Sequence, residues 1–254
     1  VYIPDELNTS KESADFGTIL HKILEKFYTQ NKSPRVLNEY EKNDYIQQAI
    51  ADLGYPKSYF KKNNAFSKKI IEKLFTDVLD IDQKESFEIL GLEQELKATL
   101  HIKNKEITIY GKIDRIDKQN NHIRILDYKT GNIKLCNFPT EGDEKSIDDF
   151  FSKILNKTAT PYKETFQGLL YAWLYYKNYP NANILVGYFT VKKLQNGIQY
   201  LNNAKTIDKW ILNLFEEKLV AIIEEIIDIH QDFILSENKN SYQYALAYKE
   251  LLLL

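Results

Sequence analysis

Residues 105 to 131, KEITIYGKIDRIDKQNNHIRILDYKTG, read as two strands joined by a polar turn. Ile107, Ile109, Ile113 and Ile116 lie on the first arm, and Ile123, Ile125 and Leu126 on the second. Between them the run from Lys118 to Asn121 suits a reversal of direction. Period-2 geometry puts Ile123, Ile125, Asp127 and Lys129 on one face of the second arm. Two apolar residues anchor that face, and an acid and an amine stand at its open end. Folding back about Asn120 brings Asp114 within a residue or two of facing Asp127. Two carboxylates and an ammonium gathered at the end of a hairpin need compensation, and a divalent cation would supply it.

Composition narrows the classes. The chain has 254 residues, 43% hydrophobic, enough to bury a full core. Its net charge is −2, so no global basic field advertises nucleic acid, and DNA binding requires a local groove. The single cysteine, Cys136, excludes a disulfide framework and a cysteine-ligated zinc or iron–sulfur cluster within the chain. No apolar run is long enough to span a membrane, the terminal Leu251 to Leu254 included. No signal peptide is visible. Methionine is absent, initiator included, which reads as a domain excised from a longer chain.

Residues 1 to 12 read as a polar lead-in. A helix is expected from Ser13 or Asp15, with Phe16, Ile19, Leu20, Ile23, Leu24 and Phe27 as an amphipathic stripe. His21 lies about 100° off the centre of that stripe, with Gly17 one turn before it leaving space beside the imidazole. Residues 39 to 80 read as two helical segments broken at Gly54-Tyr55-Pro56. They carry Lys57, Lys61, Lys62, Lys68, Lys69 and Lys73, a solvated face or, with Tyr55, Tyr59 and Phe60, a phosphate-and-stacking surface. A strand over 87 to 102 holds Glu93 and Glu95. After the hairpin, the acids Glu141, Asp143, Glu144, Asp148 and Asp149 keep a long connection soluble, with a short helix from Ser146 to Leu155. A helix from Lys163 to Tyr176 buries Phe166, Leu169, Leu170 and Trp173, leaving Gln167 and Tyr171 one turn apart on its flank. Asn183 to Val191 reads as a buried strand beside the hairpin. A helix from Thr206 to about Ile234 packs through Trp210, Leu214, Ile222, Ile226 and Phe233, and another covers 242 to 254. No repeat or linker divides the chain. The expectation is one α/β domain over 1–254, with a helical insertion about 39–80 and C-terminal helices about 206–254.

Four ordered motifs now carry a resemblance. They are Gly17-Thr18-x-x-His21, Gly111-x-x-Asp114-Arg115, Asp127-Tyr128-Lys129-Thr130-Gly131 and Gln167-x-x-x-Tyr171, spread over about two-thirds of the chain. Together they resemble the PD-(D/E)XK nuclease superfamily, in its RecB-like exonuclease branch. The resemblance implies a restriction-endonuclease-like core: helix, mixed sheet with the catalytic hairpin, helix, strand. It implies a cytoplasmic Mg²⁺- or Mn²⁺-dependent deoxyribonuclease with one or two ions held by His21, Asp114, Asp127 and the Tyr128 carbonyl. Lys129 would serve the attacking water, and Asp114, Asp127 and Lys129 form the catalytic set. Gln167, Tyr171, Arg115 and Thr130 would contact DNA, although Arg115 could equally just pair with its neighbouring acid. Glu93 is a further candidate, because relatives carry an acid on the strand before the hairpin; Glu95 competes with it. Several RecB-like relatives hold a four-cysteine iron–sulfur cluster, and this chain departs from them. Partners implied are DNA, as single strands or duplex ends, and a helicase domain or subunit, with no membrane.

The same residues bear on two other classes. A catalytically silent nuclease fold used for DNA binding or architecture need not keep His21, Asp114, Asp127 and Lys129 together. A penicillin-recognising serine acyl-transferase is suggested by Ser58-x-x-Lys61 and Lys129-Thr130-Gly131. It requires a Ser/Tyr-x-Asn motif between them, and residues 62 to 128 hold none.

Overall fold

Strands β1 (Glu88–Ile102) and β2 (Lys105–Gln119) pair antiparallel from Glu88–Lys118 to Ile102–Lys105. Their turn, Lys103-Asn104, has φ of 45° and 63°, the doubly left-handed backbone that matches the twist of the flanking strands. β3 (His122–Lys129) folds back about Asn120, itself at φ 53°, and pairs Gln119 with His122 and Arg115 with Leu126. The chain then crosses over through α4 (Glu144–Ile154) and α5 (Lys163–Asn178), so β4 (Ile184–Thr190) returns parallel to β3. A short β5 (Gln199–Tyr200) completes the order β1-β2-β3-β4-β5. This mixed sheet, with six α-helices among the described residues, is the α/β architecture expected.

The computed structural model describes residues 10–56, 59–60, 65–155 and 162–228. The lead-in up to residue 9, Lys57, Ser58, Lys61, Lys62, Phe233 and the helix expected over 242–254 lie outside the described residues.

Alternation along the inner strands feeds two cores. Ile125, Ile184, Val186 and Tyr188 join α4, α5 and α6 (Lys209–Ile226) on one side of the sheet. Leu126, Tyr128 and Phe189 join α1 (Ser10–Gln30), α2 (Glu39–Asp52) and α3 (Ala65–Asp82) on the other. Every residue of β4 is buried, as a parallel strand covered on both faces must be. The expected stripe of α1 is buried from Phe16 to Phe27. The helix itself starts at Ser10, upstream of both expected caps, because Lys11, Glu12 and Ala14 are good helix formers. α2 starts at a capping box in which Asn38 Oδ1 accepts from the Glu41 N–H at 2.9 Å and Glu41 returns the bond. In α6 the buried positions are Ile211, Leu212, Phe215, Leu219 and Ile223. The stripe is thus rotated by about a residue from the expected one, and Ile226 is exposed. No helix among the described residues is long and apolar enough to cross a membrane.

Candidate active site

The regular alternation of β2 breaks at Asp114. Ile113 and Ile116, three residues apart, both pack on the α5 side, whereas Arg115 turns to the opposite side against Tyr28 and Phe87. Across from it, Glu93 sits between the Leu92–Arg115 and Gln94–Ile113 pairs at φ 47°. Holding a side-chain-bearing residue there costs about 1–2 kcal/mol. The register also shifts between Ile89 and Gly91. Such irregularities re-aim side chains and gather beside functional sites.

The re-aimed side chains meet α1. His21 Nδ1 lies 3.5 Å from Asp114 Oδ1, and its Nε2 lies 2.7 Å from the Tyr128 carbonyl oxygen. The Tyr128 N–H donates to Asp114 Oδ2 at 2.9 Å, so that carboxylate ties β2 to the end of β3. His21, Glu93 and Asp114 each offer a ligand atom, all within 4.8 Å of one another. Next to them Lys129 Nζ stands 2.8 Å from Asp127 Oδ2. Oδ2 is buried, and its ion-pair partner is that single ammonium.

Helix α5 closes the site from the other side. Gln167 Nε2 donates to Asp127 Oδ1 at 3.3 Å and to the Tyr171 hydroxyl at 2.9 Å. Gly111 permits this approach. A Cβ there would lie 2.9 Å from both the Tyr171 ring and Leu174, closer than packed carbons come. Gly168, the residue after Gln167, has the same role, since a Cβ there would run into the Tyr188 hydroxyl. The glycine of G-x-x-D-R therefore serves the helix that carries Gln167 and Tyr171.

Electrostatics follow from this crowding. Burial and the adjacent Asp114 push the Asp127 carboxyl up to about 6, against the pull of Lys129 and His21. Burial works against a charged His21, yet Asp114, the Tyr128 carbonyl and Asp127 outweigh it and raise the imidazole to about 9. Burial likewise opposes the Lys129 ammonium, and Asp127 more than offsets it, raising the lysine above its usual value. Protons are thus drawn to the places where a cation would sit.

Three expectations need correcting. Arg115, expected at a DNA phosphate, is wholly buried. It donates to Asp117 Oδ2 from Nε at 2.7 Å and to Asp82 Oδ2 from Nη1 at 2.7 Å, with its Cζ 4.2 Å from the Phe87 ring centre. Gly17 does not open space beside His21; α1 packs there against Thr130, whose Cγ2 would be 3.5 Å from a Cβ. The aromatic and basic surface near residue 60 is partly internal: Phe60 is buried, and Lys68 and Lys73 are paired with Glu72 and Asp77. Between the two candidate acids on β1, Glu93 is in the cluster and Glu95 is exposed. Thr130 is half-buried beside α1, next to the site.

A divalent cation fits these donors. Carboxylates, a carbonyl oxygen and an imidazole make a mixed oxygen-rich shell suited to Mg²⁺ or Mn²⁺. Asp127 Oδ2, buried beside the Lys129 ammonium, and Glu93, held at positive φ within reach of Asp114 and His21, are the carboxylates such an ion would claim.

Comparison with known proteins gives a family for the chain. Residues 3–238 match the PD-(D/E)XK nuclease superfamily. An uncharacterised protein of Rickettsia felis is 31% identical over 142 residues, 51% of this chain and 16% of the relative. The uncharacterised protein RT0391 of Rickettsia typhi is 32% identical over 142 residues, 52% of this chain and again 16% of the relative. The matched stretch thus spans about a sixth of those curated relatives. Among solved structures, SSO0001 aligns at 15% identity over 80% of this chain and 84% of its own, with a TM-score of 0.30. VC1899 from Vibrio cholerae aligns at 11% identity over 80% of this chain and 52% of its own, with a TM-score of 0.19.

Proposed function

The chain belongs to the PD-(D/E)XK nuclease superfamily, and from that premise we propose that it is a Mg²⁺- or Mn²⁺-dependent deoxyribonuclease. We further propose an exonuclease of the RecB-like branch without an iron–sulfur cluster. It would act on single-stranded or duplex ends as the nuclease module of a helicase–nuclease in cytoplasmic DNA repair and recombination. The observation that carries the reading is the convergence of His21, Glu93 and Asp114 beside a buried Asp127 paired with half-buried Lys129. The length of the curated relatives beyond the matched stretch supports a module within a larger protein.

His21, Asp114, Asp127 and the Tyr128 carbonyl, with Glu93, would hold one or two ions. When bound, the ion neutralises phosphate charge and makes water more acidic. The chain supplies the rest. Lys129, held by Asp127, orients the attacking water and stabilises charge that develops in the transition state. Gln167 and Tyr171 position the strand from α5, and Thr130 offers a hydroxyl to a phosphate beside the hairpin end. The test is cleavage of end-labelled DNA with added Mg²⁺ or Mn²⁺ and with chelator. Cleavage is expected only with the ion. Undiminished cleavage in excess EDTA would overturn the metal mechanism, and metal-dependent binding without cleavage would mark a silent nuclease fold.

A further inference from the structure

Lys112 stands two residues before Asp114 on β2, about 7 Å along the strand. Register places Glu95 directly opposite it, an exposed carboxylate ready to pair across the ladder. The ammonium goes instead to Glu93, at 2.6 Å from Oε2. Glu93 is the residue held at positive φ that shares the cluster with His21 and Asp114. A largely exposed monocation therefore occupies one of the carboxylates that a divalent cation would take.

The two ends of this pair differ in freedom. The Lys112 side chain is 62% exposed and the Glu93 side chain 17%. Pairs exposed to this degree contribute about 0–1 kcal/mol, so a divalent cation on Glu93 displaces the lysine at little cost. Once displaced, the ammonium has a flexible four-carbon stem and open solvent in front of it. What arrives in that solvent, on the nuclease reading, is a polyanion held next to Asp114.

We propose that Lys112 is an exchangeable counter-ion: it neutralises Glu93 while the cation is absent, and grips a backbone phosphate of the nucleic-acid strand once the cation claims Glu93. Cation binding and strand binding are then coupled through one side chain. The first frees the positive charge that the second uses, and the acidic site does not repel its substrate at either stage. The inference rests on the nuclease reading for its substrate, while its cation half stands without it.

Lys112→Gln removes the charge and leaves a shorter polar side chain, and Lys112→Arg keeps a charge. Two measurements read the two halves. Calorimetric Mn²⁺ titration without DNA should show Lys112→Gln binding about 2- to 5-fold more tightly than wild type, the consequence of losing a competitor of that strength. DNA binding over a salt series with Mn²⁺, read in a Lys129→Ala background before the slowed variant cuts the strand, should lose about one unit of salt slope. Lys112→Arg should bring both values back towards wild type. A Lys112→Gln affinity for Mn²⁺ that is unchanged or weaker, in a variant that melts as wild type does, overturns the competition. An unchanged salt slope overturns the phosphate contact. If wild type cleaves DNA with Mn²⁺ and these results are null, Lys112 alone has been misread. If wild type binds no Mn²⁺, the nuclease reading falls as well.

Discussion

The β2–β3 pair carries two groups of charged side chains. In one, three carboxylates (Asp82, Asp117 and Glu85) meet two guanidinium groups, Arg115 and Arg124. In the other, three carboxylates (Glu93, Asp114 and Asp127) meet two ammonium groups, Lys112 and Lys129, and the imidazole of His21. The formal charges are nearly the same, and the outcome is opposite. Arginine forks saturate the first group: Arg124 reaches both oxygens of Asp117 at 2.6 and 3.1 Å, Arg115 both oxygens of Asp82 at 2.7 and 3.3 Å. Tyr28 donates to Asp82 from the helix side, and Phe87 lies against both guanidinium groups. The second group is held by single-point lysines, one of them largely exposed, and leaves buried Asp127 Oδ2 facing one ammonium rather than a fork. What separates a structural clamp from a ligand site here is the rigidity of the counter-ions rather than their number.

Breaking the clamp should give the largest effect. Arg115→Ala leaves Asp82 and Asp117 buried without their shared partner and should lose about 3–5 kcal/mol of stability. Arg115→Lys should recover only part of it, since an ammonium cannot fork. Denaturant midpoints of the two variants read this directly. A midpoint for Arg115→Ala within error of wild type would make the network ornamental and dissolve the contrast.

On the other side of the contrast, Lys129→Ala should still bind Mn²⁺ while slowing single-turnover cleavage by about 10²–10³. Asp114→Asn should lower Mn²⁺ affinity and turnover together, because it removes the charge of a metal ligand while its amide oxygen can still accept from the Tyr128 N–H. Wild-type cleavage by Lys129→Ala, with metal still bound, would make Lys129 a surface counter-ion and nothing more.

The same contrast explains what can be read from the sequence. Period-2 spacing and the Asn120 turn suffice to predict that Asp114 and Asp127 approach each other. Helical spacing puts His21 on the flank of its helix. Alternation does not separate Glu93 from Glu95, because the placement of Glu93 depends on a left-handed residue within β1 that no pattern announces. Asp82, Asp117, Glu85 and Arg124 are invisible for a different reason. Charged residues read as surface, and only a three-dimensional match of forks to carboxylates lets them be buried. Arg115 falls between the two: its motif neighbours suggest a phosphate, while its side chain turns away through the slip in alternation at Asp114. The rotated stripe of α6 reflects packing by the facing helices, which a single helix's own pattern leaves loose.

The unsaturated group should also show itself in stability against pH. Asp127 titrates at about 6 in the fold, above the usual value of 3.8. Folding therefore favours its protonated form, a contribution present in full below pH 3.8 and lost as pH rises through 6. His21 titrates at about 9 against 6.5, so the stability it gains from its partners is present below 6.5 and lost as pH rises through 9. Both signs agree. The metal-free protein should lose on the order of 1–3 kcal/mol through these two groups between about pH 5 and pH 9. Mn²⁺ should flatten the curve, since it favours ionised Asp127 and neutral His21. Asp127→Asn should raise the metal-free melting temperature at neutral pH while removing activity. Melting curves across that range, with and without Mn²⁺, make the check; metal-free stability that climbs from about pH 5 to 8 would show the group to be saturated after all.

The smallest effects belong to α5, where the site touches a neutral partner. Gln167 divides its amide between Asp127 Oδ1 at 3.3 Å and the Tyr171 hydroxyl at 2.9 Å, so neither contact is strong on its own. A neutral hydrogen bond contributes about 0.5–1.5 kcal/mol net. Tyr171→Phe removes one acceptor and leaves the ring where it packs against Gly111, so the backbone of the site should not move. Gln167→Ala removes both contacts and exposes Asp127 further. If the pair positions the strand, both variants should cleave with roughly 3- to 10-fold losses. These should fall mainly in KM and depend on substrate, with Mn²⁺ affinity within about twofold of wild type. A loss confined to kcat, equal for every DNA tested, would assign Gln167 instead to holding Asp127 during the chemical step. That result would extend the unsaturated group by one residue and sharpen its boundary with the clamp on the opposite side of the sheet.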